Sequence, residues 1–283
     1  MTDSNAQLPT GLAQRYGVEV VPLTVVVDGK EHLEGVDLDA DAFYDRFRTG
    51  RPTVSTAQPS PGRFAAAYEA VAERGATEIL SVHIGSSVSG TVNSARLATQ
   101  VSPVPVRIVD TGTASFAVSL CLWEAAEVVA AGASLEEAAT AAEQVGATGG
   151  NVFVVGALDV ARAGGRLAED VVNQTPVAIP VLTLSGGVMR EIERCADPEA
   201  AAEAMATFVR ASGSSLRVGV GLSDDGTLPL VTALEDRLGK APEVVELVRY
   251  RIGPSVGAHT GPGTVGTMFA PTGGQPLSRR GPR

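Results

Sequence analysis

A chain of 283 residues with 44% apolar content can bury one large core or two smaller ones, which excludes disorder as the default state. The formal net charge is −10 and lysine occurs only at Lys30 and Lys240, so no basic stripe exists for a phosphate backbone and nucleic acid is excluded as a partner. Cys121 and Cys195 belong to no Cys-x-x-Cys or Cys/His ligand spacing, and ordinary buried thiols are expected.

In chain order, β-branched runs alternate with alanine-rich amphipathic segments, the pattern of an α/β fold with largely parallel sheets. The first half predicts a strand at Val18 to Asp28, helices at Asp41 to Arg48 and Arg63 to Arg74, and a strand at Glu78 to Ile84. A helix at Thr91 to Gln100, a strand at Val106 to Asp110 and helices at Phe116 to Ala131 and Leu135 to Val145 follow. Ser134 with Glu137 three residues on is a capping box, satisfying two orphan backbone donors at the last helix start. The stretch Gly146 to Gly150 is the expected boundary between an N-terminal α/β domain, residues 1–148, and a C-terminal one, residues 149–270. In the second part strands are predicted at Asn151 to Ala157, Ala178 to Leu184, Val188 to Arg194, Leu216 to Leu222 and Val244 to Tyr250. Helices are predicted at Pro198 to Ala211 and Pro229 to Leu238, and a hairpin turn at Ser185-Gly186-Gly187. Residues 271–283, rich in Gly, Pro and Arg, are expected to be a disordered tail. The start shows no charged segment followed by an apolar run and cleavage site, and Phe116 to Ala131 is short for a span and carries Glu124 and Glu127. The expected location is the cytoplasm, without stable membrane insertion.

Three loops concentrate hydroxyls and glycine: Ser55 to Ser60, Gly85 to Thr91, and Gly257 to Thr264. In the second, a strand ends where a helix begins, so N–H groups and hydroxyls face whatever lies beyond the carboxyl ends of the strands, an arrangement suited to a carboxylate or phosphate. Each loop also has a plain explanation, since Ser and Thr cap helices and glycines serve turns. His259 is the exception: four glycines lie within six residues of it, and close backbone approach around an ionisable group is unusual in a purely structural turn. His83 reads as a satisfied core histidine, His32 as a surface hairpin residue, and Asp110 as a cap for the turn after its strand. No Gly-x-Ser-x-Gly elbow, Gly-x-x-x-x-Gly-Lys loop or His-Glu-x-x-His metal site occurs in the sequence.

Together the motifs resemble the DegV family over Thr2 to about Phe269. Thr2-Asp3-Ser4 is similar to its opening Thr-Asp-Ser, and Val21-Pro22-Leu23 with Asp28-Gly29 to its second strand and turn. Thr56 with Gln58-Pro59-Ser60 resembles Thr-Ser-Gln-Pro-Ser, and Ser89-Gly90-Thr91 resembles Ser-Gly-Thr. Gly164-Gly165-Arg166 matches Gly-Gly-Arg, and Gly257 to Gly263 resembles Gly-x-His-Thr-Gly-Pro-Gly. The resemblance implies two α/β domains with one long-chain fatty acid between them and no other cofactor. Thr56, Ser89 and His259 would contact the carboxylate, with Gly90 and Thr91 completing the loop. It also implies a partner fatty acid kinase that converts the bound acid to an acyl-phosphate, this chain being a non-catalytic presenting subunit, with Arg194 facing the kinase. Ala57 replaces a family serine, Gly85 another, Ile179 a lysine and Gln7 an aspartate. The family has a strand before Thr-Asp-Ser, whereas Met1 immediately precedes Thr2 here, so the first strand is expected to be missing and the chain to start late. Two other functions compete: a small phosphatase or acyl hydrolase using His259 as base, and a purely structural or regulatory partner.

Overall fold

The computed structural model describes residues 1–157, 178–185 and 188–272. Gly164-Gly165-Arg166, the turn residues Gly186 and Gly187, and the expected tail beyond Thr272 lie outside the described residues.

The first half runs β1 (Thr2–Asp3), α1 (Thr10–Tyr16), β2 (Val20–Val21), β3 (Thr24–Val27), β4 (Lys30–Leu33), α2 (Ala40–Thr49), β5 (Val54–Ala57) and α3 (Pro61–Glu73). It continues with β6 (Ile79–His83), α4 (Thr91–Ala98), β7 (Val106–Asp110), α5 (Phe116–Ala130) and α6 (Leu135–Thr148). The second half holds β8 (Gly150–Val154), β9 (Ile179–Ser185), β10 (Val188–Cys195), α7 (Pro198–Arg210), β11 (Leu216–Leu222), α8 (Leu228–Leu238), β12 (Val244–Arg251), α9 (Pro254–Thr260) and β13 (Val265–Pro271). Helix starts follow the chemistry of orphan N–H groups: Asp39, Ser60 and Asp197 each cap with their side chains, and the Ser134/Glu137 capping box is closed from both sides.

Strands up to Asp110 form two sheets, and those from Gly150 form a third. The first, ordered β2-β1-β6-β7, is wholly parallel. The second, β4-β3-β5, is antiparallel. The third, β10-β9-β8-β13-β11-β12, has among the described residues only one parallel pair, β11 with β12. Parallel pairing therefore dominates one sheet of the three, fewer than the sequence predicts. The single expected strand from Val18 to Asp28 is two strands in different sheets. Pro22, which has no N–H to offer a ladder, separates them. Where the first strand is expected to be missing, Thr2–Asp3 occupy the centre of the parallel sheet, Thr2 opposite Val20 on one side and Val82 on the other. Its neighbour β6 has no further β1 partner, and the Met1 ammonium group donates to the Leu80 carbonyl at 2.7 Å. Pro271 closes β13 rather than opening a tail.

Period-two alternation sorts the large sheet into two faces. Val152, Val154, Val218, Val220, Val265 and Phe269 pack under α7 and α8 with Met205 and Leu234. On the opposite face β11 carries Gly219 and Gly221, where a side chain would strike the rings of Phe116 and Tyr250 respectively. Those glycines let α5 lie close against β11. Arg217, on the same face, is buried against the Trp123 ring at 4.1 Å and meets Glu124, Glu127 and Glu246. Cys121 and Cys195 are buried free thiols, and burial pushes Cys121 up to about 12.

Candidate functional site

One cavity of about 560 Å³ collects loop residues from all three sheets. Asn5, Ser89 and Thr113 reach it from beyond the carboxyl ends of β1, β6 and β7, the place where open parallel sheets bind ligands. Thr56 enters from β5, and His259 from α9. From the large sheet, alternate residues Asn151 and Phe153 of β8 and Gly266 and Met268 of β13 supply the opposite wall with Leu184 and Met189. No lysine, arginine, aspartate or glutamate occurs among the described lining residues. An anionic group there would be met by hydroxyls, amides and an imidazole rather than by a fixed cation.

Thr56 and His259, 203 positions apart in sequence, come together with Oγ1 3.1 Å from Nε2. The Ser55 to Ser60 segment is not simply a loop: Val54–Ala57 pair with β3, and Thr56 sits opposite Val25. Likewise Gly257 to Thr260 are helical, because Pro254 fits the first turn of α9. Gly257 is held against Tyr44 and Phe43, its absent Cβ lying only 2.5 Å from the Tyr44 hydroxyl. That close approach seats α9 on α2, and α9 also packs on β5.

Ser89 does two things. Its Oγ accepts the Thr91 N–H at 3.3 Å and lies 2.8 Å from the Thr91 hydroxyl, so it caps α4 in place of Gly90, which has no side chain to do so. It also lines the cavity, as does Gly90, whose missing side chain leaves room for Gln58 to lie 2.3 Å from the Cβ position. Thr91 is fully buried and does not line the cavity; it serves Ser89 from behind. Arg194 also lies away from the cavity, on β10, paired with Glu191.

The remaining candidates are structural. His83 is fully buried, with Nδ1 2.9 Å from Asp3 Oδ2 and Nε2 2.6 Å from Ser81 Oγ. This is the order of a Ser/His/Asp set, unannounced in the sequence because β1 and β6 supply its members. All three are sealed from the cavity, so it holds β1 to β6 instead of acting on a ligand. Asp110 caps the following turn, accepting N–H groups of Ser86 and Gly112. Its partial burial opposes the charge, but those donors outweigh it and hold the carboxyl below its usual range. His32, expected at the surface, is 7% exposed, because β4 turns it inward opposite Val25. Gln7 bridges the Ser4 carbonyl, Glu34 and the N–H of Gly253. Among the described residues no group of three or more His, Cys, Asp or Glu could hold a metal, and no helix is long and apolar enough to cross a membrane.

The family model described as an uncharacterised protein of the DegV family matches residues 1–272. A DegV domain-containing protein of Streptomyces coelicolor is 34% identical over 273 residues, covering 95% of this chain and 97% of the relative. One from Deinococcus radiodurans is 34% identical over 278 residues, with 96% and 97% covered. Among solved structures, one on fatty acid binding of a DegV family protein from Thermus thermophilus superposes with a TM-score of 0.84 at 32% identity, covering 95% of this chain and 98% of that one. A DegV lipid-binding protein from Thermotoga maritima gives 0.85 at 29% identity, with 95% and 96% covered.

Proposed function

From the premise that this chain belongs to the DegV family, we propose that it binds one long-chain fatty acid between an N-terminal domain, residues 1–148, and a C-terminal domain, residues 149–270. The observation that carries the reading is the convergence of Thr56, Ser89 and His259 on one cavity whose other wall carries the apolar side chains of Phe153, Leu184, Met189 and Met268. The solved relatives described as fatty acid or lipid binding support it.

The physics divides between the two ends of the ligand. Burying methylenes at about 0.8 kcal/mol each yields a gross gain on the order of 11 kcal/mol for a tail of about sixteen carbons, before ordering costs. Phe153, Leu184, Met189 and Met268 offer that surface. A carboxylate withdrawn from water without donors would cancel several methylenes of this gain. The Thr56 and Ser89 hydroxyls and a ring N–H of His259 are the donors that prevent it. Protein purified from a bacterial host should carry about one fatty acid per chain, detectable by mass spectrometry of a denatured sample. A well-folded preparation whose organic extract matches the buffer blank defeats the reading.

The finer proposal is that the bound carboxylate is presented to a separate fatty acid kinase, with Arg194 on the β10 surface as a kinase contact. The Thr56 hydroxyl beside His259 would also suit a nucleophile and its base, which favours acyl or phosphate ester hydrolysis as the second reading. Adding a cognate kinase and ATP separates them. Presentation requires acyl-phosphate only when the kinase is present, and His259→Ala should lower its formation at least as much as it lowers binding. Turnover of a model ester without kinase, abolished by His259→Ala, overturns presentation.

A further inference from the structure

Two further hydroxyls in the cavity wall take no part in the Thr56–His259 or Ser89–Thr91 contacts. Tyr250 is 3% exposed and Ser115 is 4% exposed, and apart from a weak contact with each other neither hydroxyl has a hydrogen-bond partner among the described residues. Both residues line the cavity. A buried hydroxyl left unpaired is costly, and native structures rarely keep two side by side without a use for them.

Their placement is specific. The Tyr250 ring lies flat on Phe116, centroids 4.5 Å apart with 12° between planes. It also covers Gly221, where a Cβ would fall 2.3 Å from the ring. This fixes where the phenol points. Its oxygen lies 3.3 Å from the Cβ position of Gly266, and atoms of Met268 and Phe153 lie 3.9 Å from that same position. The hydroxyl is thus delivered to the apolar wall, where a methylene chain would run. Burial raises the Tyr250 pKa, with the nearby Ser115 hydroxyl pulling the other way, so the phenol keeps its proton at neutral pH.

Ser115 adds a second anomaly. It stands at φ 61 and ψ −150, backbone that glycine adopts freely and other residues only under strain, and its N–H is held by Asn5 Oδ1 at 2.9 Å. Glycine would relieve the strain; serine keeps a hydroxyl beside Tyr250.

Building on the fatty-acid reading, we infer that Tyr250 and Ser115 form a second polar subsite, one that receives an oxygen substituent on the acyl chain. The preferred ligand is then a hydroxy or keto fatty acid rather than a plain one. The phenol donates to the substituent oxygen, and a ligand hydroxyl donates to Ser115 Oγ. A water can serve the pair while no ligand is bound, but an unsubstituted chain displaces it without replacing its hydrogen bonds.

The test is displacement of a fluorescent fatty acid from the full chain by octadecanoic acid and by its positional hydroxy isomers. It is run on the wild type, Tyr250→Phe and Ser115→Gly. At least one isomer should bind the wild type about tenfold or more tighter than octadecanoic acid itself. Both variants should lose that preference while binding the plain acid as well as or better than before, and Ser115→Gly should melt at a higher temperature. Should Tyr250→Phe fail to fold, Ser115→Gly decides alone. Plain acid binding with no isomer favoured, or a preference that survives in the folded variants, overturns the subsite and leaves the fatty-acid reading standing. Failure of every acid to bind overturns both.

Discussion

At the scale of single residues, the cavity-lining Ser89 and the buried carboxyl of Glu34 respond to opposite demands. Ser89 serves α4 as well as the cavity, so Ser89→Ala should weaken fatty-acid binding by roughly ten- to a hundredfold and lower stability by about 1 kcal/mol. Titration with a fatty acid and urea unfolding read the two losses separately. Glu34 is 6% exposed and accepts from Ser4 Oγ at 2.5 Å, Ser255 N at 2.8 Å and Gln7 Nε2 at 3.4 Å. Burial dominates those bonds and raises its pKa above 4.5. The folded state therefore holds the proton longer than the unfolded state, and this group's contribution is complete below the unfolded pKa and lost as pH rises through the folded one. Urea unfolding across a pH series should show that decline, and Glu34→Gln should flatten it. A steeper decline in the variant would mean that burial does not govern this carboxyl. Thr56, Ser89 and His259, which share one cavity, stood out as candidates because each sits in a short run of hydroxyls and glycines. Ser115 and Tyr250 carry no such context, one being a lone serine before an apolar helix and the other the end of an ordinary strand.

At the scale of elements, what the sequence concealed were short pieces whose stability is tertiary. β5 holds only Val54–Ala57, and its hydroxyls read as a loop until β3 pairs with it. β13 alternates Val265, Thr267 and Phe269 on the helix-covered face with Gly266 and Met268 on the cavity face, so no continuous apolar run marks it. α9 is seven residues rich in small side chains and exists because Gly257 can approach Tyr44. The long helices and the α6 capping box were legible because periodicity and capping act locally. Close approach also governs α5 on β11. Gly219→Ala would place a Cβ 2.2 Å from the Phe116 ring, which is pinned by Tyr250, so the ring and helix must shift together. A loss of about 1 to 3 kcal/mol in urea unfolding is expected, and an unchanged midpoint would show that α5 yields freely.

Over the whole molecule, the cavity depends on how α5, from the first half of the chain, is fastened to the large sheet of the second. Arg217 is the fastening with the most at stake. Its guanidinium, 5% exposed, reaches Glu246 at 2.5 Å on neighbouring β12, and Glu127 at 2.9 Å and Glu124 at 3.3 Å on α5, while stacking over Trp123. Burial works against its charge, but the Glu246 and Glu127 carboxylates outweigh that and raise its pKa. Arg217→Met keeps much of the packing on Trp123 and removes the charge, leaving three carboxylates facing one another. The cost should be about 3 kcal/mol in urea unfolding, since removing one side of a buried ion cluster exposes the other to uncompensated repulsion. None of these side chains lines the cavity, so binding should follow a different course. A ligand that binds only the folded state adds stability in proportion to the logarithm of its concentration over Kd. If the α5–β13 and α6–β13 contacts suffice to keep the two walls aligned, saturating fatty acid should raise the variant's stability by nearly the wild-type increment. Melting curves with and without added acid measure that increment directly. An increment that collapses in Arg217→Met would instead make the buried cation the element that aligns the cavity walls.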